Sequence, residues 1–264
     1  MPAVITGDGG SIAYPKVGSG PRPVLLIPDW LFSGMYWQDV MDALPHDRFT
    51  VMMPDLRGTG LSHHPEAGGH DLDRFADDLV SLMSQESAFD KKWILVGHGM
   101  GALLAQRAAA VYKRKVGGLV LVAPMPLGGM APEGEAGELA KELAADRDHV
   151  EEILPFLFAG EVDEDDADLL LDDFEQTSDA YLSETFAQWS EAGDSEKIAK
   201  IRCPMLLVTG GKDQLIPEAA PEQIAALAKS ASRKSYPEAG HMIPIEAPGA
   251  LVEDICAFEA ALEE

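Results

Sequence analysis

The chain has 264 residues, with 45 acidic against 20 basic side chains and a formal charge of −25. Such a charge repels nucleic acid and anionic membrane surfaces, so neither is expected as a partner. The length suits one α/β domain carrying an insertion, and no apolar run approaches the roughly 18–20 residues of a membrane span.

Short apolar runs alternate with amphipathic helical patterns, the signature of a mainly parallel sheet flanked by helices. Pro23–Pro28 and Phe49–Pro54 read as buried strands, with a short helix over Trp37–Leu44 between them. Asp71–Ser84 reads as a helix, since Leu72, Phe75, Leu79 and Leu82 recur at helical spacing on one face. A strand over 92–96, a helix from about 100 to 112 and a strand over Val116–Ala123 follow.

From 125 to 199 the pattern changes to consecutive helices with no strand. Residues 131–200 hold 22 acidic and only 4 basic side chains. Glu161–Asp166 lacks the glycine-containing calcium-loop pattern and reads as a solvated acidic helix start, so no metal is expected. Ser178 is placed to cap a helix whose Leu182, Phe186 and Trp189 share a face. Alternation then resumes with a strand at 205–209, a helix near 221–229, a short strand near 232–236 and a helix from about 248 to 262. The expected organisation is a core of 1–124 and 200–264, with 125–199 inserted as an all-helical cap.

The chemistry gathers at strand ends. Trp93–Val96 leads into Gly97-His98-Gly99-Met100-Gly101, a strand–turn–helix context in which a nucleophile elbow G-x-S-x-G has glycine where serine belongs. Asp213 follows the strand at 205–209, and His241, in Gly240-His241-Met242, follows the next strand. Ligands bind outside the carboxyl ends of parallel strands, so all three positions can converge there. Isolated His46, His63, His64, His70 and His149 fall in contexts that predict exposure. Cys203 and Cys256 read as small buried apolar residues of a reducing compartment, not a disulfide.

These motifs resemble those of the α/β-hydrolases, in the family's order of nucleophile, acid and histidine, and Asp55-Leu56-Arg57-Gly58-Thr59-Gly60-Leu61-Ser62 is similar to its D-x-R-G-x-G-x-S loop. The resemblance implies the α/β-hydrolase fold, with His241 as general base and acid and Asp213 orienting it. It implies an oxyanion hole built from the backbone N–H groups of Met100 and Trp30. Where the family commonly has His-Gly after the first central strand, this chain has Pro28-Asp29-Trp30. Zearalenone-lactone hydrolases carry a similar Pro-Asp pair; capping of the following segment is the favoured reading of Asp29.

The resulting expectation is a cofactor-free ester or lactone hydrolase for a small apolar or aromatic substrate, with Gly99 in the nucleophile position. Asp29, His98, Met125, Phe158, Phe186 and Trp189 are the candidate substrate contacts. Relatives that open alkyl halides or epoxides place aspartate at the elbow, so Gly99 is expected to exclude both serine-type and aspartate-type covalent catalysis. The chain as written is then an inactivated form, with an engineered substrate trap as its leading origin. A natural ligand-binding pseudoenzyme and a non-covalent His–Asp catalyst (lyase, cyclase or cofactor-free oxygenase) are the alternatives. The expected state is a cytoplasmic monomer or homodimer; Met1–Asp8 lacks a basic region and a long apolar run, so no signal peptide is expected.

Overall fold

The computed structural model describes residues 1–262 apart from 67, 87, 127, 128, 132, 192–199 and 229. A two-stranded antiparallel ladder, β1 (Ala3–Ile5) with β2 (Ser11–Ala13), precedes a seven-stranded sheet. Its strands are β3 (Lys16–Gly18), β4 (Arg22–Ile27), β5 (Phe49–Met52), β6 (Trp93–His98), β7 (Val116–Val122), β8 (Met205–Gly210) and β9 (Ala231–Tyr236). They lie in the order β3-β5-β4-β6-β7-β8-β9, every neighbouring pair parallel except the antiparallel β3–β5 edge. Every residue of β4, β5 and β6 is buried, as a parallel sheet covered on both faces requires.

The core helices are α1 (Gln38–Ala43), α2 (Leu72–Gln85) and α3 (Met100–Val111). The carboxylate of Asp71 caps α2 by accepting from the Arg74 N–H, and Leu72, Phe75, Leu79 and Leu82 are all buried. Between β7 and β8 run α4 (Gly134–Ala145), α5 (Val150–Leu157), α6 (Glu164–Phe174) and α7 (Asp179–Glu191). The expected acidic helix start is there: Asp163 caps α6, and Glu164, Asp165 and Asp166 fill its first turn, where the helix dipole favours negative charge. Ser178 Oγ accepts from the Tyr181 N–H at the start of α7. After β8 come α8 (Ala219–Leu227), α9 (Ile243–Glu246) and α10 (Pro248–Ala261).

The helical segment is tied to the core through the loop after β5. Gly60 N–H donates to Gln176, Ser178 N–H donates to Gly58, and Thr59 pairs with Thr177. That loop is itself braced by charge. The Arg57 side chain, 2% exposed, donates to both carboxylate oxygens of Asp78 and to Asp8. Replacing it by methionine strands the Asp78 carboxylate in the interior. We expect Arg57→Met to cost about 3–5 kcal/mol, read as a lowered urea midpoint with unchanged slope.

Two expectations need correcting. His70 is 1% exposed, its Nδ1 bonded to Glu184 Oε2 at 2.9 Å, because the α7 segment closes over it. The two free cysteines are only half-buried.

Candidate active site

Four turns at the carboxyl ends of neighbouring strands bring the site together. β6 ends at His98, and Gly99 turns the chain into α3 with φ +52° and ψ −116°. A non-glycine residue held there would store about 1–3 kcal/mol of strain, whereas glycine adopts it freely. The turn is also tight: a Cβ on Gly101 would lie 2.4 Å from the Ile27 carbonyl oxygen.

β8 delivers Asp213 and β9 delivers His241. One Asp213 oxygen accepts the N–H groups of Leu215 and Ile216 at 2.8 and 3.0 Å, fixing the carboxylate. The other accepts from His241 Nδ1 at 3.0 Å. His241 is anchored through its backbone N–H on the Leu157 carbonyl, and it is 1% exposed.

The fourth turn follows β4 and carries Asp29. Its carboxylate bridges the site: Oδ2 accepts from His241 Nε2 at 2.9 Å, and Oδ1 accepts from the Met100 N–H at 2.6 Å. A Cβ placed on Gly99 would lie 2.0 Å from Asp29 Oδ1 and 2.5 Å from Oδ2. The carboxylate therefore occupies the space into which an elbow side chain would project. Asp29 does not cap the segment that follows it; its oxygens are turned to the elbow and the imidazole.

His241 thus lies between two carboxylates. Burial alone would pull its pKa down, but the charges and hydrogen bonds of Asp213 and Asp29 raise it to about 10. Burial pushes the Asp29 carboxyl up; the His241 hydrogen bond and charge, with the Met100 N–H, outweigh it and hold the group at about 2. For Asp213 the same contest between burial and His241 also ends below the usual carboxylate value. At neutral pH the site is a carboxylate–imidazolium–carboxylate relay.

The sign of its pH dependence follows. His241, raised above its ordinary 6.5, contributes stability that is complete below about pH 6.5 and is lost as pH rises through about 10. Asp29, lowered from 3.8, contributes stability that is present above that value and is lost as pH falls through about 2. By NMR, the His241 imidazole should titrate near 10, and Asp29→Asn should lower that midpoint. A wild-type midpoint at the free-histidine value would contradict the relay.

His98 was expected to touch substrate, but it is fully buried beneath His241. Its Nε2 bonds the His241 carbonyl at 2.9 Å and its Nδ1 bonds the Tyr36 hydroxyl at 3.0 Å, while that hydroxyl accepts the Asp29 N–H at 2.8 Å. This chain requires neutral His98 with its proton on Nε2, and burial lowers its pKa to about 4. His98 is a positioning residue that links the backbones of Asp29 and His241. Asp29, His98 and His241 bring possible metal-ligand atoms within 4.8 Å of one another. All four ring nitrogens and both Asp29 oxygens are nevertheless already spent on the hydrogen bonds just described.

Above the relay is an apolar cavity of about 60 Å³, lined by Asp29, Gly99 and His241 and by Trp30, Met125, Ile153, Leu157, Trp189 and Ile216 among others. Of the expected contacts, Asp29, Met125 and Trp189 line it. Phe186 does not; it packs edge-on to Trp189 at 4.9 Å and beside Trp30 at 5.5 Å, one layer behind the wall. Phe158 is also absent from the lining. Trp30 lines the cavity with its indole N–H donated to the Leu182 carbonyl at 3.3 Å.

Residues 24–255 match the model of the family described as the alpha/beta hydrolase family. The chain is 29% identical over 281 aligned residues to a non-heme chloroperoxidase of Streptomyces lividans, covering 98% of this chain and 99% of that one. It is 26% identical over 242 residues to a Haemophilus influenzae protein described as an esterase or lipase, covering 89% of this chain and 83% of the other. Among solved structures, an esterase from Exiguobacterium antarcticum superposes with a TM-score of 0.89 at 20% identity, covering 99% of both chains.

Proposed function

The chain belongs to the alpha/beta hydrolase family, and from that premise we propose that its site is built for hydrolysis of a small, apolar carboxylic ester or lactone, with the nucleophile position emptied at Gly99. The observation that carries this reading is the alignment of Asp213, His241 and the Met100 N–H beneath an apolar cavity. These are the acid, the histidine and an oxyanion donor of acyl transfer, with no hydroxyl beside them and with Asp29 on both the histidine and the donor. The esterase-like relatives point to the same substrate class. The helices between β7 and β8 act as the lid, since Ile153, Leu157 and Trp189 supply part of the cavity wall.

In this reading the chain itself is impaired as an esterase for two reasons. It has no nucleophilic hydroxyl, and the Asp29 carboxylate occupies the Met100 donor that a substrate oxyanion needs. Gly99 and Asp29 fit each other, the glycine leaving room that the carboxylate fills. The test is the double variant Asp29→Ala with Gly99→Ser, assayed on short-chain nitrophenyl esters and small lactones. A large gain over wild type is the expected result, and no gain from folded protein overturns the reading.

A further inference from the structure

We propose that Glu246 is a positioning residue for the histidine. Its carboxylate joins the end of α5 to the turn that carries His241, so one side chain helps to place both the imidazole and a wall of the cavity. The consequence for turnover rests on the hydrolase reading; the contacts themselves do not.

The two segments meet backbone against backbone. A Cβ on Gly240 would lie 2.6 Å from the Ala159 nitrogen and 2.7 Å from the Phe158 carbonyl carbon, so only glycine allows the approach. On one side of this contact the Leu157 carbonyl accepts the N–H groups of His241 and Met242, at 2.9 and 3.0 Å. On the other side an N–H from each segment turns to the same carboxylate. Glu246 Oε1 accepts from Ala159 and Oε2 accepts from Gly240, both at 2.8 Å.

Glu246 reaches them because α9 is a single turn that starts two residues after His241. Its own N–H donates to the Met242 carbonyl at 2.9 Å, which brings residue 246 back over the His241 turn. A carboxylate suits the place, since it accepts at both oxygens and donates at neither. Such charge-assisted bonds are roughly twice as strong as neutral ones.

The imidazole is therefore held at three levels. Its ring nitrogens rest on Asp213 and Asp29. His98 holds its carbonyl from beneath. Leu157 and Glu246 hold its backbone from the helical side. Leu157 also lines the cavity, so the end of α5 cannot shift without carrying the histidine with it. A displacement of about 1 Å at a reacting group can cost on the order of 10²-fold in rate.

The experiment compares Glu246→Asp with Glu246→Gln in the full chain. Aspartate keeps the charge but is a methylene too short to span both N–H groups. Glutamine keeps the length and an acceptor oxygen but loses the charge. Asp213, Asp29 and His98, the titratable groups that contact the ring, are intact in both variants. The NMR titration midpoint of His241 should fall by roughly one pH unit or more in Glu246→Asp, as its carboxylate contacts slacken, and by less in Glu246→Gln. An unmoved midpoint in Glu246→Asp would overturn the proposal and confine Glu246 to holding α5. A larger fall in Glu246→Gln than in Glu246→Asp would also overturn it, because the effect would then be one of charge alone. Turnover is the second readout. Added to Asp29→Ala with Gly99→Ser, Glu246→Asp should lower kcat on nitrophenyl acetate roughly tenfold or more with KM within about twofold, and Glu246→Gln should recover part of the loss. An unchanged kcat in that active background would count against the proposal as well. Should the background be inactive, the ester reading falls, while the His241 titration still decides the role of Glu246.

Discussion

Gly99→Ser alone should give a less stable protein with no useful gain in ester hydrolysis, and adding Asp29→Ala should release that activity. The new Cβ would lie 2.0 Å from Asp29 Oδ1, closer than any non-bonded contact allows. Asp29 has a short side chain, so its carboxylate can withdraw only by giving up the Met100 N–H and the His241 Nε2–H together. Hydrogen bonds to a charged group contribute about 1.5–3 kcal/mol each, and the left-handed turn adds about 1–3 kcal/mol of strain for a non-glycine residue. A net loss of about 3 kcal/mol or more is expected for the single variant, measured by urea denaturation.

The single variant should also fail chemically, because a displaced carboxylate still competes for the oxyanion donor. In the double variant the competitor is gone, His241 keeps Asp213 as its sole carboxylate partner, and the serine hydroxyl is within reach of Nε2. Losing the serine of such a triad removes on the order of 10⁶ in turnover, so recovering even part of it should raise nitrophenyl-ester hydrolysis by at least about 10³-fold over wild type. Equal activity of the single and double variants would show that Asp29 is not the obstacle.

The fold was legible because its signals are local. Buried runs such as Leu95-Val96 and the periodic apolar face of α2 name their own structure, and the elbow, Asp213 and His241 each sit in a turn motif directly after a strand. The ladder of β1 with β2, and the edge strand β3, were not read; strands of three residues are too short to show a period. The role of Asp29 was hidden for a different reason. It depends on two loops 70 residues apart meeting at the carboxyl ends of adjacent central strands, β4 and β6, and no local pattern reports that distance. The signal available was a pair of departures: a carboxylate where His-Gly is common, and no side chain where a nucleophile is common. Taken separately, each reads as a loss. In space they complement each other: the Asp29 carboxylate fills the room that Gly99 leaves.

The position of Asp29 in turn depends on a carboxylate in the helical segment, and Asp173→Ala should expose that dependence. Asp173, 2% exposed near the end of α6, accepts the Ser33 hydroxyl and the N–H groups of Ser33, Gly34 and Met35, each N–H at 3.2 Å. Those residues lead directly into Tyr36, whose hydroxyl accepts the Asp29 N–H and contacts His98. Alanine would leave three backbone donors and a hydroxyl without this partner, those of Ser33 and Gly34 buried and that of Met35 part-buried. At about 1–3 kcal/mol for each donor stranded, offset where water enters, a loss of about 3–5 kcal/mol is expected. For a chain of this size that corresponds to a fall in Tm of roughly 10 °C. Burial raises the Asp173 carboxyl above its usual pKa against the pull of those four donors, so its protonation on acidification relieves the cost of a buried charge and is not by itself expected to destabilise the fold. Because the loop sets the height of the Asp29 carboxylate over the elbow, the variant should also lower the His241 NMR midpoint while Asp213 remains in place. Asp173→Asn, which keeps acceptor capacity at one oxygen, should recover part of both effects. A variant that loses stability with the His241 midpoint unmoved would confine Asp173 to holding the helices on the core.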